Sequence, residues 1–181
     1  ALNDFDLAIQ INSKKDNILH EEVKPYLLIA RGFIRLDKKK DAKNAIDTAF
    51  SVHENIKDES ERNIALEKII EYYLRIKKPE DAIKVTLYIE ETTQRDKALD
   101  TIVMYFLKEG NITEAIEITK KITSGSLVES FALKRISCNL IEQTDKKDLQ
   151  DLIKFSLELT SKIQDIWSKT ESYLSLCHSL K

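Results

Sequence analysis

The chain has 181 residues, 42% apolar and 33% charged, enough to bury a continuous core and free of the compositional bias of disorder. Its 29 basic and 31 acidic residues leave a net charge of -2, which removes any global reason to seek nucleic acid or an anionic membrane as partner. Only three glycines and two prolines occur, leaving little turn chemistry for sheets, and no apolar run approaches the ~18 residues of a membrane span.

In chain order, apolar periodicity predicts helices at about 5–13, 18–36, 39–57, 59–76, 79–92, 94–109, 112–123, 126–143, 146–160 and 163–180. One phrase recurs along them, a small or apolar residue followed by apolar positions at helical spacing. Its anchors are Ala8, Ala42, Ala82, Ala115 and Leu149, at intervals of 34, 40, 33 and 34 residues. A repeat of that length is one helical hairpin, and stacked hairpins make an all-α solenoid.

The register repeats inside each unit. Twelve and thirteen residues before the four later anchors stand Ile29-Ala30, Ile69-Ile70, Ile102-Val103 and Ile136-Ser137. Nine before stand Phe33, Tyr73, Phe106 and Leu140, and sixteen before stand Tyr26, Leu66, Leu99 and Leu133. These positions trace one apolar face of a first helix. The second helix shows Ala42, Ala45 and Ala49, then Ala82, Val85 and Ile89, then Ala115, Ile118 and Ile122. A small residue at its start lets antiparallel helices approach closely. The extra residues between Ala42 and Ala82 are expected after Val52, around Ile56 to Ser60, lengthening a helix or its loop.

Boundary chemistry agrees with this register. Gly110-Asn111 is expected to end one helix, with Asn111 and Glu114 as a capping box for the next. Pro79, Glu80 and Asp81 suit a first helical turn. Asp58 with Glu61 and Ser126 with Glu129 repeat the capping pattern. The domain reading is a single α-solenoid over 1–181. It comprises a partial repeat at 1–17, repeats at about 18–57, 58–92, 93–123 and 124–160, and a terminal capping helix at 161–181.

At Ile29, Ala30, Phe33 and Ala42, and at Gly110 in the turn, the chain resembles the tetratricopeptide-type repeat over roughly residues 22–160. It departs from that pattern at Ile70 and Val103, where a small residue is usual, and in having no proline that closes a unit. The resemblance implies a right-handed superhelix of antiparallel helix pairs, with a concave groove lined by the first helix of each hairpin. Carried over, the lining positions are Arg35, Arg75, Lys108 and Glu142. One turn earlier they are Arg31, Glu71, Met104 and Cys138, and before those Leu27, Glu67, Asp100 and Lys134. Tyr72 and Tyr105 fall near the groove edge. The expected partner-binding set is therefore Arg31, Arg35, Glu67, Glu71, Tyr72, Arg75, Tyr105 and Lys108. The places where some family members clamp a C-terminal carboxylate hold Leu27, Arg31, Lys68, Lys97 and Arg135, without the asparagines.

Plainer readings compete. The row Arg35, Arg75, Lys108 also fits a solvated face with (i, i+4) pairs such as Glu71 with Arg75. Tyr73 and Phe106 are needed in the core rather than for base stacking, and Lys38-Lys39-Lys40 lies in an expected turn between Asp37 and Asp41. His20, His53 and His178 share no register, and Cys138 and Cys177 form no paired motif, so no metal or disulfide is expected. No glycine-rich phosphate loop, GxSxG or HExxH occurs, and neither catalysis nor a cofactor is expected. Reduced, buried thiols suit a cytoplasmic location; alanine at position 1 fits a processed or cut end, and so a removed leader.

The function expected is a noncatalytic scaffold or chaperone-like binder that holds a protein or peptide partner in the groove. A regulatory or docking part of a larger enzyme or secretion-related protein is the alternative, and an RNA-binding helical repeat ranks third.

Overall fold

The computed structural model describes residues 21–142, together with 157, 158, 161–163 and 169. The helix expected at 5–13, the Leu149 anchor and most of the two helices expected beyond residue 145 lie outside the described residues, as do His20, Trp167, Cys177 and His178. The described residues contain seven α-helices and no strand. They are α1 (Lys24–Arg35), α2 (Lys39–Ser51), α3 (Glu59–Arg75), α4 (Pro79–Thr86), α5 (Thr92–Lys108), α6 (Ile112–Thr119) and α7 (Leu127–Glu142), with a short 3-10 turn at His53–Asn55. None is long and apolar enough to cross a membrane. The chain divides into two compact units, Ala1–Arg95 and Asp96–Lys181, the boundary falling inside α5.

Three hairpins, α1–α2, α3–α4 and α5–α6, are closed by one turn used three times. The residue five before the alanine anchor takes the left-handed conformation in each: Asp37 at φ 53°, Lys77 at φ 61° and Gly110 at φ 78°. Its N–H bonds three residues back, to Ile34 O, Leu74 O and Leu107 O at 3.1, 3.0 and 3.1 Å. The next N–H bonds five back: Lys38 to Phe33 O, Lys78 to Tyr73 O and Asn111 to Phe106 O at 2.9, 2.9 and 2.8 Å. This is the Schellman arrangement, which satisfies carbonyls that a helix end would leave orphaned. The following helix then starts at once, from Lys38, Lys78 and Asn111 at ψ 70°, 63° and 74°.

That backbone overturns one expected cap. Asn111 makes no side-chain cap to α6, because its ψ of 74° holds the side chain away from the next amides, whereas Asp58 at ψ 120° accepts from Glu61 N at 2.9 Å. Ser126 accepts from Glu129 N at 3.1 Å as expected, while the Glu129 carboxylate receives the N–H of Gly125 at 2.6 Å. The start of α5 uses a residue that the capping pattern missed: Glu91 accepts from Thr93 N and Gln94 N at 3.1 and 3.2 Å.

The second helices end earlier than periodicity predicts. After Thr86 the backbone tightens to i→i−3 bonds, through Leu87, Tyr88 and Ile89, and after Thr119 the same happens at Lys121 and Ile122. The hydroxyls of Thr86 and Thr119 accompany this by bonding Ile83 O and Ala115 O at 2.7 and 2.9 Å. Each tightened turn delivers one isoleucine to the core: Ile56, Ile89 and Ile122 are 0%, 0% and 4% exposed. They stand 33 residues apart, so the extra residues of the first hairpin lie ahead of Ile56. They lengthen a helix, the first of the two forms expected, but the helix is α2, 13 residues against 8 in α4 and α6, and the place is ahead of Val52 rather than around Ile56 to Ser60.

In the first unit α1 packs on α2 and α3, α2 on α3, and α3 on α4. Its core is Leu27, Ala30, Ala42, Ile46, Ala49, Leu66, Ile69, Ile70, Tyr73, Ala82 and Val85. In the second unit Leu99, Ile102, Val103, Phe106, Ala115 and Ile118 are buried, with Ala132, Leu133 and Ile136 of α7, which packs on α6. All three described alanine anchors are fully buried, which the close helix crossing in each hairpin requires.

A Cβ on Gly110 would meet no atom within 4 Å, so the cost of Gly110→Ala is conformational alone. We expect it to destabilise by ~1 kcal/mol, and Asp37→Gly to stabilise by less, since aspartate tolerates this region better than most residues. Urea midpoints at constant slope measure both.

Candidate functional site

The surface side chains of the first helices are placed by the hairpin turn. Arg35, Arg75 and Lys108 are the last residues of α1, α3 and α5, and all three are exposed. A cation there faces the free carbonyls and negative end of its own helix, so each also stabilises the helix that carries it. Arg35 and Arg75 stand in the first unit on helices that touch. Lys108 belongs to the second unit.

On α3 the expected residues are already engaged with one another. Lys68 Nζ donates to both oxygens of Glu71, at 2.9 and 3.2 Å. The Arg75 guanidinium lies 5.0 Å from the centroid of the Tyr72 ring, and Tyr72 is only 6% exposed. The (i, i+4) pairing expected between Glu71 and Arg75 gives way to these two contacts, because a helical side chain leans over the turn before it. Arg31 and Glu67 are half-buried, and both have contacts of their own. Tyr105, also half-buried, meets the Phe106 ring edge-on at 5.6 Å. Of the carboxylate-clamp positions, Leu27 lies in the core at 1% exposure and Arg135 is paired with Asp100.

A second polar constellation, absent from the sequence reading, joins the two hairpins of the first unit. Lys43 Nζ of α2 donates to both oxygens of Asp47 at 2.9 Å and lies 3.4 Å from Asp81 Oδ2 of α4. Tyr73 of α3 sends its hydroxyl to Asp47 Oδ1 at 2.7 Å, with Lys43 Nζ 5.7 Å from its ring centroid. Lys84 completes the group, 3.2 Å from Asp81 Oδ1. Burial first, then the bond to Asp47, pushes the Tyr73 hydroxyl above the ordinary tyrosine range, so it stays a donor. The Asp47 hydrogen bond raises Lys43. Burial pushes Asp81 up, but Lys84 and Lys43 outweigh it and hold the carboxyl below its ordinary range. Such a set ties the helices of the two hairpins together.

A cleft of about 290 Å³ lies along α1 and α2, lined by Tyr26, Ile29, Phe33, Asp41, Asn44, Ala45 and Thr48. Tyr26, Ile29 and Phe33 are half-buried there, whereas their register counterparts Leu66, Ile69 and Tyr73 are buried. Among the described residues no group of three His, Cys, Asp or Glu is placed to hold a metal. Compared with protein-family models, curated proteins and solved structures, the chain matches none.

The junction sets a pH profile. Asp81, with its folded value lowered, contributes stability above the ordinary aspartate value that is lost as pH falls through the lowered one. Lys43, with its folded value raised, contributes stability below the ordinary lysine value that is lost as pH climbs through the raised one. We expect Asp81→Asn to flatten the acid limb of a urea-midpoint-against-pH curve and to leave the alkaline limb in place. Tyr73→Phe is expected to cost about 1 kcal/mol at neutral pH, as loss of a hydrogen bond to a half-exposed carboxylate.

Proposed function

We propose that this chain is a noncatalytic interaction scaffold, a right-handed α-solenoid of tetratricopeptide-like helix pairs that holds a peptide or helix of a partner protein on its first-helix face. The observation that carries this reading is the hairpin turn repeated at Asp37-Lys38, Lys77-Lys78 and Gly110-Asn111 with the same hydrogen bonds. A backbone unit copied so closely, with its buried face retained, frees the positions outside that face to differ. They do differ: Arg31 and Arg35 on α1 stand against Glu67, Glu71 and Arg75 on α3. A face of alternating sign suits a partner segment that carries both charges.

Arg35 and Arg75 are the exposed members of that face in the first unit and serve as the test. Affinity capture from native lysate, with partner yield compared between the native chain and Arg35→Glu/Arg75→Glu, is expected to show about a tenfold loss for the variant, with the thermal melt lowered only as far as two reversed helix-end charges account for. Equal yields would refute the assignment of this face. A chain that no longer folds cooperatively would instead return both arginines to the fold.

A further inference from the structure

The two residues that precede the buried Ile56, Ile89 and Ile122 lie beyond the end of each second helix. Counted back from the buried isoleucine that closes each hairpin, the two residues there read Glu54-Asn55 in the first and Lys120-Lys121 in the third, but Leu87-Tyr88 in the second. Leu87 is 76% exposed and Tyr88 45%. A leucine exposed to that extent adds little to the core, and its register equivalents are charged, so the fold does not call for it.

The pair rests on a fixed base. Phe50 stacks on His53 with ring centroids 4.8 Å apart and an interplanar angle of 3°, and Tyr88 stands edge-on to both at 5.0 and 5.3 Å. His53 is buried at 4% exposure and its Nδ1 is bonded to Phe50 O. The three rings touch one another and leave no cage for a cation between them, so they form a platform. In the antiparallel hairpin α3–α4 this end also holds the start of α3, as the 3.2 Å pair of Arg62 with Glu90 shows. The charge gathered there is acidic. Residues 54–62 carry four acids, Glu54, Asp58, Glu59 and Glu61, against Lys57 and Arg62, and Glu90, which Arg62 pairs, and Glu91 follow. Glu54 and Glu59 are exposed, the Glu90 side chain is 72% exposed, and nearby Lys84 is held by Asp81.

We propose that this end of the first unit docks a basic amphipathic segment of a partner protein, whose apolar side chains cover Leu87 and Tyr88 while its lysines or arginines meet Glu54, Glu59 and Glu90. Charge complementarity selects the occupant: an apolar pair at an end of the unit with an excess of carboxylates repels acidic segments and favours cationic ones. The surface is distinct from the first-helix face, because Arg35 and Arg75 sit at the hairpin turns, the opposite ends of their hairpins. The two assignments stand or fall separately.

The test uses the full chain and a synthetic labelled helix with leucine on one face and lysine on the other, read by fluorescence anisotropy. A peptide with the same leucine face and glutamate in place of lysine is the control. The lysine peptide is expected to bind, with affinity falling as salt rises. Leu87→Ser is expected to weaken it about tenfold, as for exposing one buried leucine, and Glu54→Lys/Glu59→Lys to weaken it by at least as much, all at an unchanged melt. On the native chain, amide shifts in NMR spectra are expected to centre on Glu54, Leu87 and Tyr88. The proposal is overturned by no binding, equal binding of the glutamate peptide, insensitivity to Leu87→Ser, or shifts centred elsewhere. Loss of binding only in Arg35→Glu/Arg75→Glu would move the peptide to the first-helix face, and a dimer abolished by Leu87→Ser would make the occupant a second copy; either result defeats the proposal.

Discussion

Everything in this fold is set out from one backbone constraint, the left-handed residue at the hairpin turn. With Asp37, Lys77 or Gly110 at positive φ, the chain reverses within three residues and both capping bonds close. The second helix must then run back along the first, and the alanine five residues on is brought to the crossing point. Only a small side chain permits that approach, and Ala42, Ala82 and Ala115 are each fully buried. Two of the three turns place a residue other than glycine in a region that costs such residues ~1 kcal/mol or more, so the surrounding contacts over-determine the geometry.

The other end of each hairpin is governed by a different device. There His53, Thr86 and Thr119, each three residues before the buried isoleucine, are buried themselves and bond a carbonyl of the preceding turn. A polar side chain satisfied by its own helix lets the backbone tighten without leaving an unpaired group in the interior. The isoleucine that follows, rather than the alanine anchor, keeps strict spacing between the first and second hairpins, and α2 extends by helical turns to preserve it.

The periodic part of this architecture was legible in the sequence because it depends on positions buried for packing alone. The alanine anchors, the apolar triplets of the first helices and the turn at Gly110 follow from the 3.6-residue period and from glycine's freedom. What was not legible depends on side chains that meet across elements. Tyr73 reads as a core residue, and its ring is one, but its hydroxyl finds Asp47 on a neighbouring helix. Asp37 and Lys77 carry no glycine to announce a left-handed turn, and only alignment with Gly110 in the repeat register reveals them. Glu91 falls inside the helix that the apolar period extends to residue 92, and so is invisible as a cap. Among the surface residues, Arg35, Arg75 and Lys108 were recognisable by register, whereas the pairings of Lys68 with Glu71 and of Arg75 with Tyr72 follow from side-chain direction and local competition for partners.

Asn63 and Asp96 show how far repetition constrains chemistry. Both stand nineteen residues before an alanine anchor, and both are buried, at 1% and 2% exposure. Asp96 accepts the N–H of Thr123 at 3.2 Å and so fastens the segment after α6 to the start of its own hairpin, while Asn63 Oδ1 is buried with no partner among the described residues. The same position is thus satisfied in one hairpin and left wanting in the other, at a cost that the apolar packing around Asn63 has to offset. Packing positions are repeated in this chain because every hairpin needs them, and polar positions drift because one satisfied tie is enough to hold each junction. The drift that removes a hydrogen bond at Asn63 is the same freedom that puts Leu87 and Tyr88 on the surface where the neighbouring hairpins carry charge.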